Sequence, residues 1–201
     1  AIYGLSSIIG RFLNYLLVPL YTAKMTVESG NYGVVTNVYA WTAVLLVLLT
    51  FGFETTFFRF AGKENGDVRK VFSMSMQVIG ALCGVFLLFV FLFLPSIAGN
   101  LGYGNNPEFI GMMAVVVSLD SLQAIPFGLL RLQKRPLKFA SLKLLFIGMN
   151  ISMNLFAFVI LPKLASVYPV SFGHLYYPDN QAFYVFFINL LCTSFITLFF
   201  F

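Results

Sequence analysis

The chain has 201 residues, 60% of them hydrophobic and 9% charged, whereas a soluble globular domain runs at about 45–50% apolar and about 25% charged. An apolar excess of this size, with 25 Phe, cannot be hidden from water in a core of this length, so a water-soluble fold is excluded. The net charge of +5 comes from 12 Lys and Arg against 7 Asp and Glu, and these cations lie between apolar runs rather than on one polar face, which removes nucleic acid as a partner.

Cutting the chain at charges and turn residues leaves six apolar runs, 2–20, 34–53, 71–94, 109–132, 142–161 and 183–201. A bilayer core of about 30 Å takes about 20 helical residues. Runs such as Val85 to Leu94 also lack the alternation of barrel strands. The sequence therefore predicts an all-α integral membrane protein with six transmembrane helices, in one domain covering 1–201.

In the first predicted span Tyr3, Ser7, Arg11 and Asn14 fall on one stripe about 80° wide. Arg11 sits near the bilayer midplane, where a cation costs about 2.5–3.5 kcal/mol, so it needs a partner. Either its guanidinium fork faces a phosphate or carboxylate ligand in a central cavity, or it pairs with an acid on another helix. The second span closes on Phe51-Gly52-Phe53, with Glu54 just beyond as a candidate ion-coupling acid. The third carries Gly80 and Gly84 at small-xxx-small spacing, one turn after Gln77, and is expected to pack closely within the bundle.

The fourth span holds Asp120 midway, with Gln123 on the same side and Pro126 expected to kink the helix. Asp120 is either an ion-coupling site or a structural partner of Arg11. In the fifth span Lys143, Asn150 and Asn154 lie within about 40° of one another. Lys143 is close enough to the span end to snorkel to the headgroups, which the asparagines are too short to do. Asn189, Thr193 and Thr197 form a weaker stripe on the sixth span, where hydroxyls are expected to bond back to their own helix.

Eight of the ten cations counted in the connections lie in two of them: Arg59, Lys63, Arg69 and Lys70 between spans two and three, and Arg131, Lys134, Arg135 and Lys138 between four and five. Lys24 and Lys163 hold the remainder, which predicts a cytoplasmic N-terminus. The connection from Pro162 to Gln181, with His174, is expected to be an ordered surface loop outside. The chain opens at Ala1 without a signal pattern and stops inside an apolar run, so both ends are expected to be cut. Cys83 and Cys192 lie in apolar runs and form neither a disulfide framework nor a metal motif. No HExxH, GxSxG, Walker A or Cys/His cluster occurs; neither catalysis nor a cofactor is expected. Polar stripes with cations at depth describe a hydrated cavity suited to an anionic amphiphile.

The chain resembles the polysaccharide biosynthesis proteins, or oligosaccharide flippases, of the multidrug, oligosaccharidyl-lipid and polysaccharide exporter superfamily. The likeness is carried by Tyr3-Gly4-Leu5-Ser6-Ser7 through Arg11 to Val18-Pro19-Leu20-Tyr21-Thr22, by Tyr32-Gly33, and by Phe51-Gly52-Phe53-Glu54-Thr55-Thr56-Phe57-Phe58-Arg59-Phe60. Leu130-Arg131 with Lys134 and Arg135 completes it. The resemblance implies the N-terminal lobe of a two-lobed carrier that moves undecaprenyl-diphosphate-linked oligosaccharide across the bacterial inner membrane by alternating access. Its implied partners are that lipid-linked oligosaccharide, membrane lipids and polysaccharide assembly machinery. Arg11, Ser7, Asn14, Lys143, Asn150 and Asn154 are the expected substrate-binding residues, and Asp120 and Glu54 the ion-coupling acids; the resemblance carries a basic residue over to Arg11 and supplies no equally firm counterpart for Asp120, Glu54 or Lys143. A cation-coupled multidrug exporter of the same superfamily is the nearest rival and calls for a more acidic cavity. A membrane glycan ligase or polymerase needs a richer outer loop than His174 and Asp179 supply.

Overall fold

The computed structural model describes residues 17–25, 30–62 and 67–200. All regular structure among them is helical, as lipid demands of a chain that must satisfy its backbone N–H and C=O groups from within. In chain order the helices are α1 (Leu17–Lys24), α2 (Asn31–Thr50), α3 (Phe53–Ala61), α4 (Val68–Leu92), α5 (Leu94–Asn100), α6 (Glu108–Leu132), α7 (Pro136–Leu155), α8 (Leu161–Val167), α9 (Pro169–Phe172) and α10 (Gln181–Thr197). Four stretches are long and apolar enough to cross a membrane: Asn31–Ala61, Val68–Leu92, Glu108–Leu132 and Pro136–Val167. The first predicted span lies mostly outside the described residues, and the sixth corresponds to α10, which is apolar but shorter than a full crossing.

Helix α6 is the axis of the bundle. Of its apolar window 61% is buried, against 22–28% in the other three such stretches. One core forms on one side of it, where Tyr21 of α1, Val35 and Val38 of α2, and Val185, Phe186 and Ile188 of α10 close around Phe109, Met113 and Val116. A second forms where Phe57 and Ala61 of α3 and Ile79 and Cys83 of α4 meet Ile125. A third, smaller group joins Phe127 of α6, Phe139 of α7 and Ile196 of α10.

Several predicted boundaries are corrected. The second span does not run to Phe53: Phe51 and Gly52 both take left-handed backbone, φ 42° and 70°, and stop α2 at Thr50. The chain restarts as α3, with Glu54 in its first turn and Arg59 in its last, each complementing the helix dipole. The fifth helix begins at Pro136, whose fixed φ suits a first helical position. It runs through a π turn, Phe156–Ile160, in which Leu161 N–H reaches back five residues to the Phe156 carbonyl. Because α8 carries the chain on to Val167, and α9 and a 3₁₀ turn (Gly173–Leu175) follow, the stretch read as one long surface loop is largely helical. Pro126 stands inside α6, whose helix continues on both sides of it.

The third span starts where its cap dictates: the Asp67 carboxylate accepts from the N–H groups of Arg69 and Lys70, both at 3.1 Å. The expected close packing of its glycine pair holds for one member only. A methyl group built on Gly80 comes within 4.0 Å of Leu122 on α6, whereas one on Gly84 meets nothing within 4 Å.

Candidate functional site

Between α1, α2, α6, α7 and α10 lies a cavity of about 360 Å³ lined by Leu17, Tyr21, Tyr39, Asp120, Phe146, Asn150 and Asn189. Periodicity puts the polar side chains there. Asn150 and Asn154 stand one turn apart on α7, and Asn189 and Thr193 one turn apart on α10.

The walls are joined by hydrogen bonds between helices. The Tyr21 hydroxyl donates to Asn154 Oδ1 at 2.9 Å, and Asn154, fully buried, donates to the Asn150 carbonyl at 2.8 Å and reaches Asn150 Oδ1 at 3.2 Å. On the opposite wall Asn189 Nδ2 donates to the Tyr39 hydroxyl at 2.9 Å. Thr193 donates to Asn189 Oδ1 at 3.4 Å. Amide and phenol groups are thereby oriented and satisfied, as polar groups in a low-dielectric interior must be.

Asp120 differs. It is half-buried, and among the described residues its carboxylate has neither a hydrogen bond nor an ion pair. An ionised carboxylate at that place needs a cation, water or a proton. The cation that acts on it is Lys143. Lys143 does not snorkel outward: its ammonium lies over the Phe127 ring, 4.4 Å from the centroid, where the ring face attracts it.

Glu54 lies elsewhere. It pairs with Arg131 at the end of α6, and Arg131 also stacks 5.0 Å over the Phe139 ring. Phe139 and Phe127 meet edge to face at 5.3 Å, so the two cations rest on one aromatic pair.

Of the sequence-predicted site residues, Asp120 and Asn150 share the cavity. Asn154 underpins it, Lys143 lies along the same helix, and Glu54 does not line it. Arg11, Ser7 and Asn14 lie outside the described residues, as does the proposed contact of Arg11 with Asp120. Gln123, expected beside Asp120, instead ties α6 to α10 by donating to the Thr193 carbonyl at 3.1 Å and to Thr197 Oγ1 at 2.8 Å. The threonine hydroxyls of α10 thus do more than bond back, although Thr197 also donates to the Thr193 carbonyl at 2.8 Å.

Tyr39 was not legible as a site residue, because in an apolar run it reads as a large hydrophobe. Its only signal is a hydroxyl that needs a partner. No group of three or more His, Cys, Asp or Glu able to hold a metal occurs among the described residues. Comparison with protein-family models, curated proteins and solved structures gives no match.

Proposed function

We propose that this chain is the N-terminal six-helix lobe of a bacterial inner-membrane flippase for undecaprenyl-diphosphate-linked oligosaccharide, with its N-terminus cytoplasmic, working by alternating access against a second lobe. The observation that carries the proposal is Asp120: a carboxylate without a fixed partner among the described residues, facing a polar cavity between helices apolar enough to cross a membrane. Intramembrane charges of this kind mark ion and substrate pathways. The motifs from Tyr3 to Thr22 and from Phe51 to Phe60 support the family.

In this mechanism Arg11 and Lys143 receive the diphosphate, with Ser7, Asn14, Asn150 and Asn154 presenting hydroxyl and amide groups to the sugars. Asp120 is the ion-coupling acid. An anion bound at Lys143 takes away the charge that compensates Asp120, so a proton or monovalent cation is drawn to the carboxylate in its place. Substrate and ion then bind in the same conformation and shift the same equilibrium.

The test uses the two-lobed protein in proteoliposomes with a fluorescent lipid-linked oligosaccharide. Lys143→Gln should lower translocation about tenfold or more, the worth of a charge-assisted hydrogen bond. Asp120→Asn should remove its dependence on imposed proton and sodium gradients. Wild-type behaviour in both variants sinks the assignment. A second reading, a cation-exporting multidrug carrier, is favoured by one observation: Asp120 is the charged side chain among the described lining residues. Efflux of a cationic dye that requires Asp120, without glycan translocation, would establish it instead.

A further inference from the structure

A second feature lies on α4 and α6, apart from the polar cavity and independent of any transport role. Two adjoining hollows, of about 450 and 300 Å³, run along these helices and share Arg69 and Phe72. Arg69 and Gln133 stand at the end near the connections. Met76 and Leu122 line the deeper part.

The groove follows from side-chain size. At Gly80 Leu122 Cδ2 lies 4.0 Å from a methyl built there; nearer the cation-rich end the larger side chains of Phe72 and Met76 line the groove and pack against the core beside it. From Arg69 to Gln77 the groove covers nine residues, roughly 12 Å of helix, while one leaflet of the hydrocarbon core is about 15 Å deep.

Its polarity is graded. Among the described residues the Arg69 guanidinium has no hydrogen-bond or ion-pair partner. Asp67 is taken up by capping backbone N–H groups, and Glu54 is held by Arg131. Lys70 follows Arg69 directly, and Lys134 and Arg135 lie in the turn after α6, so that end of the groove is positive. The rest of the lining is mainly apolar, with Ser73 and Gln77 among it, and belongs to two helices long and apolar enough to cross a membrane.

We propose that this groove binds one anionic glycerophospholipid, its phosphate on Arg69 and one acyl chain along Phe72, Met76 and Leu122. A guanidinium beside an open, mainly apolar groove about one leaflet long matches the charge and shape of such a lipid. Free phosphate would use the first part alone.

The full chain, purified in detergent, is titrated with dioleoylphosphatidylglycerol, with dioleoylphosphatidylcholine and with glycerol 3-phosphate, and bound species are counted by native mass spectrometry. Phosphatidylglycerol should bind more tightly than phosphatidylcholine, and glycerol 3-phosphate should neither bind nor compete. Arg69→Gln should weaken phosphatidylglycerol about fivefold, the worth of one cation at an anionic surface. Ser73→Trp, an exposed position on the groove lining, should weaken both lipids by filling the channel while leaving the helical circular dichroism unchanged. A phosphatidylglycerol preference that survives Arg69→Gln overturns the proposal. So does competition by glycerol 3-phosphate, which would make this a phosphate site without a chain.

Discussion

The bond from Tyr21 to Asn154 fixes α1 against α7, and its worth can be estimated. Tyr21→Phe removes the hydroxyl alone, because the ring keeps its edge contact with Phe158 at 5.4 Å. Asn154, 0% exposed, then has an Oδ1 without its donor, while its amide nitrogen stays on Asn150. In a soluble protein an orphaned buried acceptor costs about 1–3 kcal/mol. The smaller membrane scale applies here, averaging about 0.6 and reaching about 1.7 kcal/mol, since the unfolded chain in a bilayer also finds polar partners. A double-mutant cycle of Tyr21→Phe and Asn154→Leu, read by equilibrium unfolding in mixed dodecylmaltoside and dodecylsulfate micelles, should give a coupling of about 0.6–1.5 kcal/mol. Coupling within about 0.3–0.5 kcal/mol of zero is what independent sites show; that result would mean that hydroxyl and amide do not meet, and the cavity wall would have to be redrawn.

Two glycines with open surroundings should respond in opposite directions: Gly52→Ala should lower stability by about 1–2 kcal/mol because φ is +70°, whereas Gly84→Ala, inside a regular helix, should raise it by about 0.5–1 kcal/mol. Thermal unfolding in detergent reads both. On α6, Gly128→Ala should be tolerated, since its methyl group would sit 3.5 Å from Phe57 Cδ1, while Gly128→Leu should cost about 1–3 kcal/mol by overpacking in the same assay. Glu54→Gln should cost less than about 1 kcal/mol, because the Arg131 and Glu54 side chains are 40% and 39% exposed; the loss should shrink further in high salt, and a larger, salt-independent loss would mark the pair as a buried lock.

What was legible in the sequence is what lipid makes obligatory. Long apolar runs had to be helices, and 100° steps place Asn150 and Asn154 on one face from spacing alone. Boundaries were harder, since they depend on backbone rather than hydropathy. Phe51-Gly52 sits among apolar residues and reads as continuation, yet two left-handed residues end the helix there. The π turn before Pro162 changes register without changing polarity, and periodicity cannot see it. Side-chain partners were the least legible. Glu54 meets Arg131 across 77 positions, and Gln123 chooses α10 over the cavity; such choices are made by packing, where spacing within one helix says nothing.

The placement of Asp120 on α6 also constrains how the site can move. Taking 100° per residue from Asp120, Leu122, Ile125 and Leu129 fall at about 140–200°, and Gln123 and Phe127 at about 300–340°. The first set packs against α3 and α4, the second against α7 and α10. With both faces engaged, α6 cannot rotate without breaking two cores and the Gln123 bonds to α10. The residue after Asn154 opens the run of backbone that leads into the π turn, Phe156–Ile160, where the α-helical hydrogen-bond ladder slips by one and single π turns commonly lie beside functional sites. Tyr21 and Phe158 meet over that turn. Under the proposed ion-coupling role, movement that answers Asp120 is expected at the π turn that follows α7, with Asn150 and Asn154 carried along and Tyr21 released or held by one hydrogen bond.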